Sequence, residues 1–154
     1  MAKIFYIDDA LNSEEPTLEK KTLNFLKDQL APSVVTGFGT YREIFHYFFD
    51  YNNLLADLFI FDHNLNWRKD ISSPYGYKFR YSDQLIMYLK SIRGELLLLP
   101  KIIYSDDDKA PVRYRNSEIP YNIFVPKWGD SPWVNLVREA KNILERPNPK
   151  ERKY

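Results

Sequence analysis

Short apolar runs alternate with longer amphipathic segments along this chain. The apolar runs are bounded by turn residues and lie at residues 4–7, 33–38, 58–61, 96–104 and 123–125. Runs of this length and composition predict buried β-strands. Because they are continuously apolar, we expect parallel strands that are covered on both faces.

The segments between the runs carry apolar residues at helical spacing, which predicts helices that each bury one face. Their apolar stripes are Leu23, Leu26 and Leu30; Tyr41, Ile44, Phe45 and Phe48; Leu85, Ile86 and Leu89; and Trp133, Val137, Ala140 and Leu144. Residues suited to helix starts precede these stripes. They are Asn12 or Ser13 with Pro16, then Thr40, Ser82, and Ser131 with Pro132.

Two connections lack this helical pattern. Residues 63–81 are polar and aromatic and contain a proline and a glycine, so we expect a long loop there. Residues 106–120 are charged and are broken by Pro111 and Pro120, so we expect a short, distorted turn or loop in place of a fourth helix. Five strands with helices between them predict an α/β fold built on a doubly wound parallel sheet.

The length and composition are those of one ordinary domain. The chain has 154 residues and no cysteine, which excludes disulfides, a thiolate metal site and a cysteine nucleophile. We expect residues 1–146 to form this domain and residues 147–154 to be a flexible basic tail. The net charge of +1 and the lack of a signal peptide or membrane-length apolar run predict a cytoplasmic protein that binds neither nucleic acid nor membranes directly.

Polar residues follow four of the predicted strands. Asp8 and Asp9 follow the first strand, Asp62 the third, Ser105 the fourth and Lys127 the fifth. Ligands of open α/β sheets bind at the carboxyl ends of the strands, so we expect these side chains to converge. Three neighbouring carboxylates repel one another, and a hard divalent cation such as Mg²⁺ would relieve the repulsion.

This arrangement resembles the receiver domain of two-component response regulators. The similar motifs are KIFYIDD, DLFIFDHN, KIIYS and IFVPK, at residues 3–9, 57–64, 101–105 and 123–127. The resemblance spans residues 3–144 and implies a flavodoxin-like fold with one five-stranded sheet in the order 2-1-3-4-5. It also implies roles for individual residues: Asp62 as phosphoacceptor; Asp8, Asp9, Asp62 and the backbone carbonyl of Asn64 as metal ligands; Ser105 and Lys127 as phosphoryl-binding groups; and Ser105 with Phe124 as the switch pair.

The resemblance implies a stand-alone signalling domain and not an enzyme, with at most self-phosphorylation and self-dephosphorylation. Mg²⁺ would be its cofactor. Its phosphoryl donor would be a phosphohistidine on a histidine kinase or phosphotransfer protein, and its output would be a downstream protein target. Homodimers are common in the family, so a homodimer is one expected assembly.

Three features depart from the family pattern. Asp106 follows Ser105 where the family normally has a small residue, and its carboxylate would repel a phosphoryl group if it pointed into the site. Trp128 stands where a proline usually follows the lysine. Residues 63–81 are longer than the usual loop, and their aromatic side chains would form a lid over the site or a contact patch.

Two other functions fit parts of the sequence. A receiver fold that keeps its carboxylates can act as an interaction module without phosphorylation. A haloacid-dehalogenase-like phosphatase also uses a strand-end Asp, a hydroxyl and a Lys, but it needs a second Asp two positions after its nucleophile. Asn64 holds that position relative to Asp62, and Ala10 holds it relative to Asp8, which disfavours the phosphatase.

Overall fold

The computed structural model describes residues 1–50, 56–65 and 79–146, with the side chains of all of these except residues 48–50. Five parallel strands form one sheet in the order β2-β1-β3-β4-β5. The strands are β1 (Lys3–Ile7), β2 (Val34–Phe38), β3 (Leu58–Phe61), β4 (Lys101–Ser105) and β5 (Ile123–Pro126). The predicted doubly wound α/β sheet with the order 2-1-3-4-5 is confirmed.

Helices cover both faces of this sheet. They are α1 (Leu18–Gln29), α2 (Tyr41–Asp50), α3 (Ser82–Ile92), α4 (Ala110–Asn116) and α5 (Pro132–Leu144). Side chains of α2, α3 and α4 pack in one apolar core with β-strand residues, and side chains of α1 and α5 pack in another. The alternation of side chains along each strand divides the strand residues between these two cores.

The prediction that residues 106–120 form only a turn or loop is wrong. Residues Ala110–Asn116 form a regular helix, α4, with Pro111 in its first turn. A proline is tolerated there because the backbone N–H groups of the first turn have no partner inside the helix. Ala110 and Tyr114 are buried, so tertiary packing stabilises this short helix.

The predicted fourth strand also begins too early. Residues Gly94–Leu98 form a 3-10 helix, and β4 spans only Lys101–Ser105. The Lys101 ammonium donates to the carbonyl oxygens of Leu97 and Leu99 at 2.6 and 2.8 Å, which satisfies carbonyl groups that a strand would have placed in the sheet. A buried apolar run alone does not distinguish these two structures.

Two helix starts differ from those predicted. Thr17, and not Asn12 or Ser13, caps α1, because its hydroxyl oxygen accepts a hydrogen bond from the backbone N–H of Lys20 at 3.1 Å. Tyr81 is the N-terminal cap residue of α3, and Ser82 is the first helical residue, with its hydroxyl group buried. The predicted cap of α2 is confirmed, since Thr40 accepts from the N–H of Glu43 at 3.3 Å.

The buried face of α5 is rotated slightly from the predicted stripe. Its buried apolar residues after the first position are Leu136, Val137, Ala140 and Ile143, whereas Trp133 and Leu144 are only partly buried. Most of the predicted loop at 63–81 and the whole predicted tail at 147–154 lie outside the described residues. No helix in the described ranges is both long enough and apolar enough to cross a membrane.

Candidate functional site

The predicted site residues converge at the carboxyl end of the sheet. Asp8 directly follows β1, Asp62 follows β3, and Lys127 follows β5. The three side chains are brought together because β1 and β3 are neighbours in the sheet and β5 lies on the same side of β1 as β3. Ser105 is the last residue of β4, between β3 and β5, and its side chain is fully buried.

Lys127 connects the carboxylates of this site. Its Nζ atom donates to Asp8 Oδ2 at 2.6 Å and to Glu19 Oε1 at 3.3 Å, and it lies 3.4 Å from Asp62 Oδ2. The side chain is only 6% exposed, so solvent screens these interactions weakly. Burial lowers the pKa of Lys127, but the charges of Asp8 and Asp62 outweigh it, and the net pKa lies above the ordinary lysine value.

Asp8 is the most enclosed carboxylate of the group. Besides Lys127, its Oδ2 accepts a hydrogen bond from the Tyr6 hydroxyl at 3.0 Å, and its Oδ1 accepts from the backbone N–H of Ala10 at 3.0 Å. Burial raises the pKa of Asp8, while Lys127 acts in the opposite direction. Both oxygens therefore already have protein donors, which makes Asp8 an anchor for Lys127.

Three carboxylates lie close enough together to hold one cation. Oxygens of Asp8, Asp9 and Asp62 lie within 4.8 Å of one another. Burial and then the charge of Asp8 raise the pKa of Asp9 to about 6, and the same two causes raise the pKa of Asp62 well above its ordinary value. Asp62 Oδ1 is buried and has no hydrogen-bond partner among the described residues.

This donor set fits a Mg²⁺ ion. Burial and the neighbouring charge of Asp8 disfavour the ionised forms of Asp9 and Asp62 and raise their pKa values, and a hard cation, which prefers carboxylate and carbonyl oxygens, would offset both causes. Asp62 Oδ1 accepts no hydrogen bond from the described residues and could therefore contact the ion. Asn64 follows two residues later, and its backbone forms an isolated antiparallel bridge with Tyr81, the residue before α3.

Ser105 and the residues that follow it lie at the end of β4, the strand next to β3. The Ser105 hydroxyl accepts a hydrogen bond from the backbone N–H of Asp107 at 3.2 Å and lies close enough to Asp62 to lower the pKa of that carboxyl group. Asp106, expected to repel a phosphoryl group if it pointed inward, is exposed. Asp107 is the inner acidic residue, and its Oδ2 accepts from the Asn64 amide at 3.4 Å.

The predicted switch residue, Phe124, lies on β5 and is partly buried. Its ring meets the ring of Trp128 at a centroid distance of 6.0 Å with an interplanar angle of 65°. Trp128 is 53% exposed. The residue that follows Lys127 therefore lies beside the predicted switch residue.

Sequence reasoning missed two sets of residues near the site. Glu19 contacts Lys127 across 108 positions of the chain, and Tyr6 reaches Asp8 from within the buried strand. On the side where α3 and α4 pack, the Ser82 hydroxyl lies 3.2 Å from His63 Nδ1 and 2.6 Å from the Tyr114 hydroxyl. No short motif links these residues, so only the three-dimensional fold reveals the contacts.

Comparisons with known proteins agree with the fold of this chain. The chain matches no protein-family model and no curated protein sequence. The solved structure of the BeF3-activated DrrB receiver domain is 20% identical with a TM-score of 0.58, and the match covers 95% of this chain and 99% of that one. The non-phosphorylated HemR receiver domain from Leptospira biflexa is 16% identical with a TM-score of 0.61, and the match covers 97% and 98%.

A third similar structure is that of the phosphorylated cyanobacterial phytochrome response regulator RcpA. It is 19% identical with a TM-score of 0.60, and the match covers 94% of this chain and 91% of that one. At such identities, the similarity establishes the fold alone.

Proposed function

Given this receiver-domain fold, we propose that the chain is a response-regulator receiver that accepts a phosphoryl group on Asp62. The observation that carries the proposal is the state of Asp62. Its carboxylate is buried, its Oδ1 has no hydrogen-bond partner among the described residues, and its Oδ2 lies 3.4 Å from Lys127 Nζ, close to two further carboxylates. A reactive carboxylate beside a fixed cation is what phosphoryl transfer to Asp requires.

A Mg²⁺ ion would be held by Asp8, Asp9, Asp62 and the carbonyl oxygen of Asn64. When bound, it supplies positive charge that offsets the carboxylates and the oxygens of the phosphoryl group. Asp8 already accepts three hydrogen bonds, so Asp9 and Asp62 are the carboxylates with the most capacity for direct contact with the ion.

The proposed transfer exchanges one bond to phosphorus for another. An oxygen of the Asp62 carboxylate bonds to phosphorus while the bond from phosphorus to the donor histidine nitrogen breaks, and that electron pair stays on the imidazole. Lys127 and the Ser105 hydroxyl would bind the phosphoryl oxygens as negative charge shifts onto the product. Apart from this step and later hydrolysis of the acyl phosphate, the domain would catalyse no reaction.

Signal output would start from the same groups. The Ser105 hydroxyl would turn toward the phosphoryl group, and Phe124, which is only partly buried, would repack against β4 and Trp128. Such a local change biases a two-state surface toward one partner. The partners would be a histidine kinase or phosphotransfer protein as donor and a downstream protein as target, and a homodimer would be one form of the activated domain.

Intact-protein mass spectrometry tests this proposal. Incubation with acetyl phosphate and Mg²⁺ should add the mass of one phosphoryl group to the wild-type protein, and excess EDTA should prevent the gain. The gain should be lost in Asp62→Ala and retained in Asp106→Ala, because Asp106 is exposed. No gain in the wild type, or a gain that persists in Asp62→Ala, would rule out phosphorylation at Asp62.

One observation supports a second candidate, an interaction module that works without phosphorylation. Lys127 already has three carboxylate neighbours and both oxygens of Asp8 accept hydrogen bonds, so these groups are partly satisfied without any ligand. A titration with Mg²⁺ separates the two candidates. Saturable binding that alters the fluorescence of the tryptophans supports the phosphoacceptor, and the absence of any binding at millimolar Mg²⁺ supports the module.

A further inference from the structure

Glu19 is an acidic residue at the site that the phosphoacceptor role does not use. It is the second residue of α1, its side chain is 18% exposed, and its Oε1 accepts a hydrogen bond from Lys127 Nζ at 3.3 Å. The position of this part of α1 is fixed by the Thr17 cap, which accepts from the N–H of Lys20. Glu19 is therefore held where it reaches the lysine.

Three carboxylates share the Lys127 ammonium. The contact with Asp8 is short, at 2.6 Å, whereas Glu19 and Asp62 lie at nearly equal distances of 3.3 and 3.4 Å from Nζ. Asp8 and Glu19 thus compete with Asp62 for the cation that would bind an incoming phosphoryl group.

The charge of Glu19 also acts on the incoming group. Phosphoryl donors and phosphoryl mimics are anions, and a carboxylate in contact with Lys127 offsets part of the attraction that the lysine exerts on them. Removal of the Glu19 charge would leave Lys127 with one fewer competing anion and would leave the site less negative. Both effects favour anion binding at Asp62.

We propose that Glu19 is a positioning residue that holds Lys127 on the α1 side of the site and thereby lowers the rate of phosphoryl uptake by Asp62. The inference rests on the proposed phosphoacceptor function. In this arrangement α1 restrains Lys127 through Glu19. Lys127 would partly release Glu19 when it contacts a phosphoryl oxygen.

A glutamate in the first turn of a helix can also serve only the helix itself, through the helix dipole. The two roles predict different results. If Glu19 acts only on the helix, its replacement by glutamine lowers the free energy of unfolding and leaves uptake unchanged. If it restrains Lys127, the same replacement speeds uptake and strengthens anion binding.

The test compares Glu19→Gln with Glu14→Gln, which removes the same charge from an exposed residue, and with Glu19→Asp, which keeps the charge on a shorter side chain. Two quantities are measured at saturating Mg²⁺: the rate of phosphoryl uptake from acetyl phosphate, and the equilibrium affinity for beryllofluoride followed by tryptophan fluorescence. Thermal unfolding of each variant reports on the helix role.

We expect Glu19→Gln to raise both the rate and the affinity by roughly threefold to tenfold, as for loss of one partly buried charge interaction. Glu19→Asp should give a smaller increase, and Glu14→Gln should match the wild type. The inference would be overturned if Glu19→Gln gave the same values as the wild type, or if both glutamine variants gave equal increases. In either case, phosphoryl uptake on Asp62 in the wild type would still uphold the proposed function. A wild type that neither takes up phosphoryl groups nor binds beryllofluoride would overturn both.

Discussion

Lys127 Nζ lies 2.6 Å from Asp8 Oδ2, and this buried ion pair joins the ends of β1 and β5. The two residues are 119 positions apart in the chain. Both side chains are almost completely excluded from solvent, so removal of one partner leaves a buried charge without compensation. The pair therefore contributes to stability as well as to the chemistry of the site.

Replacement of Lys127 by methionine should destabilise the protein in a pH-dependent way. We expect a loss of about 3 kcal/mol in the free energy of unfolding at pH 8. Burial already raises the pKa of Asp8, and loss of Lys127 would raise it further, so the folded variant binds a proton more readily than the unfolded chain. Stability of the variant then falls as pH rises, and the loss at pH 5 should be smaller than at pH 8.

Urea denaturation at the two pH values measures this effect. Lys127→Arg, which keeps the positive charge, serves as the control and should lose less stability. An equal loss at both pH values would show that the uncompensated Asp8 charge is not its cause.

Replacement of Asp62 by asparagine should stabilise the metal-free protein. Burial and the charge of Asp8 raise the pKa of Asp62, so the folded state binds its proton more tightly than the unfolded state does. This contribution to stability is lost as pH rises through the folded-state pKa. In EDTA at pH 8, Asp62→Asn should raise the free energy of unfolding by about 1 kcal/mol or more.

Thermal or urea denaturation with and without Mg²⁺ measures this gain. Asp106→Asn, at an exposed position, should leave the stability unchanged. Mg²⁺ should stabilise the wild type more than Asp62→Asn, because the variant lacks one ligand. A lower stability of Asp62→Asn in EDTA would contradict the charge repulsion inferred for the site.

The buried Lys101 predicts a distinct pH dependence at the opposite end of the sheet. Burial lowers its pKa from 10.5 to about 8. Between these values the unfolded chain binds more protons than the folded state, so the contribution of Lys101 makes the free energy of unfolding rise with pH, by up to about 1.4 kcal/mol per pH unit. Below pH 8 the contribution is constant.

Lys101→Met removes this contribution, and other groups that titrate in the same range are common to both proteins. The difference in stability between wild type and variant should therefore shift in favour of the wild type from pH 8 to pH 10.5. Lys27→Met, at an exposed position, should show no such shift. A pH-independent difference for Lys101→Met would show that the lysine is fully charged in the folded state up to pH 10.

Gly39 should be intolerant of a side chain because it packs against the backbone that follows Asp9. A Cβ atom at Gly39 would lie 2.6 Å from the backbone nitrogen of Asn12, whereas one at Gly37 would meet the mobile end of Leu23 at 2.7 Å. Gly39→Ala should therefore cost about 2 kcal/mol or more, and Gly37→Ala less. Because the displaced turn begins at Asp9, Gly39→Ala should also weaken Mg²⁺ binding, measured by calorimetry. Equal costs for both alanines would contradict this steric account.

The core of the fold and the position of the site were predictable because each rests on local patterns. Buried parallel strands are continuous apolar runs, and Asp8, Asp62 and Lys127 each stand directly after one. The errors lie where tertiary contacts override local preference. Tyr114 is buried and stabilises a helix that Pro111 had argued against, and Lys101 caps carbonyl groups of a 3-10 helix in a run that looked like a strand.

The finer structure of the site was beyond the sequence for a different reason. Glu19, Tyr6 and Asp107 meet the predicted residues across distant parts of the chain, and their residue types are ordinary for a helix start, a strand and a loop. The outward position of Asp106 and the inward position of Asp107 depend on how the chain turns after β4. No spacing rule distinguishes these two neighbouring carboxylates.

A crystal structure of the protein with Mg²⁺ and beryllofluoride would show whether Asp62 is the phosphoacceptor. We expect beryllofluoride bonded to a carboxylate oxygen of Asp62, with Lys127 Nζ and the Ser105 hydroxyl in contact with its fluorides and Mg²⁺ bound between Asp9 and Asp62. An Asp62 carboxylate that remains unmodified at saturating beryllofluoride, with Lys127 still bonded to Asp8 and Glu19, would contradict this expectation.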